Sequence, residues 1–389
     1  MINLIGFEIK KFCNRKKNLI VIILFAILSV IFITLNFNLE GQLKKSEILS
    51  IDLEIKSLED ALTNVENEII RLPENEKLKK INTMYLEDLR LLKSKRVAYA
   101  SEDFNTYLQC KIQADKNLIS NVENGNIILG QNIDEVKQNI EINTLLLEKD
   151  IEPIYTAASM EGFNFIKLFL NNPISIIIVI LIITLSADVV SSEFDSNTYK
   201  LLFTQPVSKK KILLSKIISI LVMVNLIVLG IISICFFVLG AIKGFGSINY
   251  PIQIYNNNII EYISIGKFLL FELILLILIT TFICVLAITI SSFSKSTTNS
   301  IAISIIVTVS AYMLSNKGFF SNIAHLNPFI YFDISNILQG DLAKLHDNSN
   351  INLKFGVLTI GLSTIILLII SINFFGKNKP KFKLFITRK

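Results

Sequence analysis

Residues 186–216 read SADVVSSEFDSNTYKLLFTQPVSKKKILLSK. Three acids come first (Asp188, Glu193, Asp195), then Leu201-Leu202-Phe203, then Gln205-Pro206-Val207-Ser208 and the lysines 209–211. On both sides the chain turns apolar for lengths close to the roughly 18–20 residues that cross a bilayer as a helix. A polar stretch of this kind between two membrane-length runs is a loop on one face of a membrane. That reading decides the fold, because the remaining runs must then be threaded around it.

The chain is 52% hydrophobic with a mean hydropathy of +0.57, and its apolar residues arrive in blocks. This excludes a purely soluble protein. Six blocks read as transmembrane helices: 18–36, 173–190, 212–240, 266–293, 299–314 and 353–375. The first has no small-residue cleavage site behind it and a core longer than a signal peptide's, so it reads as an uncleaved anchor. The expectation is an all-α membrane protein. Its four cysteines (Cys13, Cys110, Cys235, Cys284) are scattered, with no disulfide framework. The two histidines lie far from any cysteine cluster, so no metal site is expected.

Residues 37–165 are soluble in character. Ile48, Ile51, Ile55, Leu58, Leu62, Val65, Ile69 and Leu72 step by three and four, the seam of a helix packing along a partner. Pro73 should stop that helix. Further helices are expected at 76–98, 104–122 and 133–151, with apolar positions that suit antiparallel neighbours. Asn124-Gly125-Asn126 and Gly130 are turn signals. This mainly helical, antiparallel coiled-coil-like domain is either a spacer or a substrate-handling unit.

Charge sets the orientation. The first 17 residues carry Lys10, Lys11, Arg15, Lys16 and Lys17, and the loop 191–211 carries Lys200 and Lys209–Lys211. The tail 376–389 carries Lys377, Lys379, Lys381, Lys383, Arg388 and Lys389. The short loops on the other face carry fewer. The positive-inside rule puts both termini and the 191–211 loop in the cytoplasm and the domain 37–165 and the segment 315–352 outside. The net charge of +6 thus reads as membrane orientation, not nucleic-acid binding. Residues 1–17 are either an amphipathic helix on the inner surface or a basic flank. Phe163, Phe165, Tyr250, Tyr255, Tyr262, Phe319, Phe320, Phe329 and Tyr331 cluster at the expected outer boundary and read as an interfacial belt.

No GxxxxGK[ST], GxSxG or HExxH occurs, so no phosphate-cradling or catalytic set is present and no enzyme is expected. Asp188 and Glu272 lie in or near spans, where charge is costly. Both are expected close enough to a boundary to be hydrated, with Glu272 the candidate on a substrate path. In the loop, Ser208 can cap a helix starting at Lys209. Leu201, Leu202, Phe203 and Val207 form an apolar face that needs a partner.

The segment resembles the signature of ABC-2-type transporter permeases. Glu193, Thr198, Leu201-Leu202, Pro206-Val207-Ser208-Lys209 and Lys216 occupy that pattern. Phe7-Glu8-Ile9-Lys10-Lys11 resembles the family's N-terminal helix, and Leu326–Phe332 (LNPFIYF) its outer segment before the last span. Asn197 replaces the usual glycine, and asparagine is the next best residue for a left-handed backbone. Lys209 replaces the usual arginine, losing bidentate pairing. The outer insertion fits a subset of the family.

The resemblance implies a permease subunit of a bacterial cytoplasmic-membrane ABC exporter. Two permease protomers, identical or paralogous, would each dock on a separate ATPase subunit, which binds ATP and Mg; this chain holds no cofactor. Glu193, Thr198, Leu201, Leu202, Phe203, Pro206, Val207, Ser208 and Lys209 would form the coupling loop. The substrate would be hydrophobic or amphipathic, such as a peptide antibiotic, lipid or drug. The alternative is a membrane protein that transmits force or senses, driven by a cytoplasmic ATPase without moving cargo. An ion-coupled transporter would show inverted repeats and midplane polar breaks, and neither is clear in the sequence.

Overall fold

A computed structural model describes residues 1–123, 132–154, 156–171, 174–256, 259–315 and 321–377. In chain order the helices are α1 (Ile2–Cys13), α2 (Lys16–Arg71), α3 (Glu76–Ala100), α4 (Phe104–Glu123), α5 (Ile133–Glu148), α6 (Gly162–Phe169), α7 (Ile174–Ser186), α8 (Ser191–Asp195), α9 (Tyr199–Phe203) and α10 (Lys209–Lys243). Strands β1 (Pro251–Asn256) and β2 (Ile259–Ser264) follow. Then come α11 (Ile265–Phe293), α12 (Thr297–Ser315), α13 (Ile334–Gln339), α14 (Asp341–Leu345) and α15 (Leu353–Lys377). Two 3-10 turns, Ser321–Leu326 and Pro328–Phe332, lie between α12 and α13. Among the described residues six helices are long and apolar enough to cross a membrane, the number read from the sequence. The contacts divide the chain into two units: unit 1 holds 1–31, 165–242 and 253 onward, and unit 2 holds 32–164 and 243–252.

Unit 2 is helical. The long helix α2 ends at Arg71, next to Leu72-Pro73, because a residue before proline is pushed out of helical geometry. Asn75 then caps α3, its side chain accepting from the N–H groups of Lys77 and Leu78 at 3.0 and 3.3 Å. Ile51 is fully buried, and the other seam positions of α2 up to Ile69 are half-buried. Arg96 Nε to Asp52 (3.0 Å) and Lys93 to Glu59 (2.7 Å) bridge α2 and α3. Position falls on one helix as it rises on the other, so the pair is antiparallel. The core gathers Ala98, Tyr99, Tyr107, Leu108, Leu146 and Ile151 from α3, α4, α5 and the chain after it. The turn signals at residues 124–126 and 130 lie outside the described residues.

Unit 1 is built around α11, which packs on α7, α12 and α15. Much of α11 is buried, including Phe268, Leu275, Phe282 and Ala287. Threonine and serine satisfy backbone or neighbouring polar groups between helices, as where Thr280 Oγ1 donates to Asn225 Oδ1 at 2.7 Å.

Two expectations need correction, on the aromatic belt and on the acids Glu272 and Asp188. The membrane-length helices agree with the expected all-α membrane class, and β1 and β2 add a two-stranded sheet. Their residues, PIQIYN and IIEYIS, are β-branched and aromatic, flanking the asparagines 256–258. The aromatic belt is only partly a surface feature. Phe165 and Tyr331 are fully buried, while Phe319 and Phe320 lie outside the described residues. The segment Pro328–Phe332 packs within unit 1, with Ile330, Tyr331 and Phe332 buried. Tyr331 donates to the His325 carbonyl at 2.9 Å, and the rings of Phe329 and Phe332 meet that of Phe282 edge-on. Gly356 of α15 admits it: a Cβ there would lie 2.8 Å from the Tyr331 ring. Second, Glu272 and Asp188, expected at a hydrated boundary, are both buried, Glu272 fully. Residues 172–173 and the tail from residue 378 also lie outside the described residues.

Candidate functional site

Helix α7 breaks at residues 187–190, near the start of the quoted stretch and immediately before α8. In an apolar setting a helix break frees backbone groups that need partners. Ser291 Oγ of α11 accepts from the Val190 and Ser191 N–H groups at 3.2 and 2.9 Å. Ser300 Oγ of α12 donates to the Ala187 carbonyl. The break is thus sealed by side chains about a hundred residues downstream, and it turns the chain into the short helix α8.

After α8, Asn197 adopts φ +57. This left-handed residue lets the chain reverse into α9, and the hydroxyls of Ser196 and Thr198 meet at 3.0 Å across the turn. Asp195 Oδ2 accepts from the Thr297 N–H and hydroxyl at 3.3 and 2.9 Å, pinning the loop to the start of α12. An aromatic ladder runs through Phe194, Tyr199, Phe203 and Phe375, with ring centroids 4.9, 6.1 and 5.7 Å apart. Lys209 Nζ sits 4.6 Å from the Phe203 ring centroid, a cation–π contact. Ser208 caps α10, accepting from the Lys211 N–H at 3.4 Å.

Beneath the loop lies a set of buried ion pairs. Lys216, two helical turns into α10, is fully buried and reaches Glu8 at 2.6 Å and Glu193 at 2.5 Å. Lys11 also reaches Glu193 at 2.6 Å. Arg15 donates to Asp188 at 3.1 Å and to Ser192 Oγ at 2.7 Å. Lys17 Nζ lies 2.8 Å from the other Asp188 oxygen, close enough for attraction though off hydrogen-bond alignment, and it donates to the Thr184 carbonyl at 2.7 Å. Three carboxylates therefore meet four cations, drawn from α1, the α1–α2 junction, α2, α8, α10 and the α7–α8 break. Ser219 Oγ adds a bond to the Ile5 carbonyl at 3.1 Å. In this unit α1 is bonded to the loop and to the helix that follows it.

Of the residues read from the sequence, Glu193, Lys216 and Asp188 fall in this network, with Glu193 at its centre. Thr198 lies in the turn, its Oγ1 donating weakly to the Glu193 carbonyl at 3.4 Å. Leu201 is 73% exposed, while Leu202, Phe203 and Val207 are half-buried and Pro206 and Ser208 exposed. Leu201, Leu202 and Gln205 line one side of a cleft of about 800 Å³ whose other side is Leu4 and Phe7 of α1. Glu193 and Arg15 lie in its floor. Glu8, Lys11 and Arg15 were missed as site residues. The available signal was Lys216: a lysine inside an apolar run must find an acid, and Glu8 stands in an otherwise basic and apolar helix.

Glu272 is remote from this cluster in unit 1. Ser335 Oγ of α13 donates to its Oε1 at 2.5 Å. Lys167 of α6 is its cationic neighbour; burial holds that lysine below its ordinary pKa, against the pull of Glu272 and Asp341.

Among the described residues, six membrane-length helices, with an exposed loop braced by buried ion pairs, define a multispan membrane protein. The family model described as ABC-2 family transporter protein matches residues 2–379. The chain therefore belongs to the ABC-2 family of transporter proteins, the membrane components of ABC transporters, which partner ABC ATPases. Neither curated proteins nor solved structures gave a match.

Proposed function

We propose that this chain is the permease subunit of an ABC exporter in a bacterial cytoplasmic membrane. Two protomers, each docked on a separate ATPase subunit, would move a hydrophobic or amphipathic substrate. The observation that carries the reading is the Lys216–Glu193 pair, extended to Glu8 and Lys11. A load applied to the loop reaches α1 and α10 through short charged contacts in a dry setting, where such contacts hold geometry tightly. Leu201 is the natural contact for an ATPase surface, since it is the most exposed apolar side chain of α9.

A photo-crosslinking residue at position 201 in native membranes should capture a protein that mass spectrometry identifies as an ATP-binding cassette subunit. Leu201→Asp should reduce co-purification of that subunit by at least tenfold, the ratio of about 1.4 kcal/mol lost at a docking contact, while leaving the permease inserted. Co-purification undiminished by Leu201→Asp and Pro206→Asp together would sink the docking assignment. A second reading, force transmission or sensing without cargo, draws on unit 2, a helical unit with its own core. ATP-dependent substrate uptake into inverted vesicles separates the two.

A further inference from the structure

At the end of unit 1 away from the α8–α9 loop, where α11 and α15 begin, lies a cavity of about 870 Å³. That is within the ~300–1,000 Å³ typical of small-molecule sites. Its apolar wall includes Tyr255 of the hairpin and Phe268 and Phe271 of α11. Lys267, Lys344 and Lys354 line it from α11, α14 and α15, against a single lining carboxylate, Asp347. None of the three lysines takes part in an ion pair among the described residues. Lys344 Nζ instead sits 3.6 Å from the Tyr255 ring centroid, and Lys267 Nζ 5.9 Å from that of Phe271. A ring face attracts an ammonium but accepts its N–H groups only weakly, so donors remain for a ligand.

The wall is also set in place. Gly340, at φ +84, lies so close to the hairpin that a Cβ would meet the Tyr255 carbonyl oxygen at 2.3 Å. This packs the α13–α14 turn against β1. The first turns of two long helices, α11 and α15, add their positive ends to the lysines. Excess positive charge over a partly aromatic wall matches one ligand chemistry.

We propose that this cavity binds an anionic amphiphile, a phosphate or carboxylate headgroup carrying an acyl chain. The headgroup would lie among Lys267, Lys344 and Lys354, and the chain along Phe268 and Phe271. This goes beyond the transport reading and does not need it: binding is predicted without ATP or an ATPase.

The chain has no tryptophan, so Phe271→Trp places a sole indole in the cavity of the full-length protein. In neutral phosphatidylcholine nanodiscs, phosphatidylglycerol with brominated tails should quench it at about tenfold lower mole fraction than phosphatidylcholine with the same tails, the ratio expected from one charge-assisted contact. The preference should disappear in Lys267→Gln/Lys344→Gln, persist in Lys267→Arg/Lys344→Arg and weaken as salt is raised. If the glutamine pair does not fold, Lys354→Gln and the salt series carry the same decision. Competition by dodecyl phosphate would identify a free amphiphile as a second source of the ligand; its absence would assign the site to bilayer lipid. Equal quenching by the two lipids overturns the proposal. So does a preference untouched by charge removal and salt, or competition by inorganic phosphate as strong as that by dodecyl phosphate.

Discussion

Unit 1 buries carboxylates at both of its ends and treats them differently. Near the loop, Glu8, Glu193 and Asp188 each meet at least one cation at 3.1 Å or less. At the other end Glu272 is held by a hydroxyl, with Lys167 its neighbour. A desolvated ion pair is costly to assemble and costlier to break, because removing one partner strands the other. A carboxyl group bonded to a hydroxyl keeps that bond in neutral form. The first arrangement suits a joint that must hold one geometry; the second suits a packing position where charge is dispensable.

The largest effect should come from the joint. Lys216→Met leaves Glu8 facing Glu193 in a dry site and should cost on the order of 3–5 kcal/mol. A thermal melt in detergent measures it, and adding Glu8→Gln should recover part of the loss. At the far end, Ser335→Ala removes the donor to Glu272 and should cost about 1–3 kcal/mol. Glu272→Gln keeps an acceptor for Ser335 and should stay below about 1 kcal/mol. If Glu272→Gln proved as damaging as Lys216→Met, the contrast between the two ends would be broken.

Unit 2 offers the smallest and sharpest test. Asp115 lies one helical turn from Lys111. Burial raises the Asp115 pKa, with Lys111 pulling the other way, and burial lowers that of Lys111. A carboxyl whose folded pKa lies above its unfolded value costs stability as pH rises through that window. Asp115→Asn should therefore raise the melting temperature by a few degrees at pH 7. The gain should vanish below about pH 3.8, where the carboxyl is protonated in folded and unfolded chains alike. A gain that persists in acid would mean that shape, not charge, sets the effect.

Much of the fold could be read from the chain because membrane spans are a matter of apolar length, and α2 of a three-and-four step ending at Pro73. Asn197 was legible too, since a turn needing φ above zero takes asparagine when glycine is absent. The hairpin was not, because six-residue strands beside an asparagine run are a weak signal next to long helices. Tyr331 was misplaced for a different reason. An aromatic near a span end reads the same whether it lies in the interface or under a helix, and only the missing side chain of Gly356 separates the two. The ion-pair network escaped for want of range. Glu8 and Lys216 stand 208 positions apart, and no local pattern pairs them.

The sealing of the α7 break carries a consequence for biosynthesis. The backbone groups freed at residues 187–190 are answered by Ser291 and Ser300, which leave the ribosome more than a hundred residues later. Until then the second span ends in unanswered amides, and water or the insertion machinery must satisfy them. The loop therefore takes its final form only after the fourth and fifth spans have entered the membrane. Nascent chains arrested before residue 300 should carry the whole loop sequence yet present it unset, which, if the loop docks an ATPase as proposed, would time that recruitment to follow insertion.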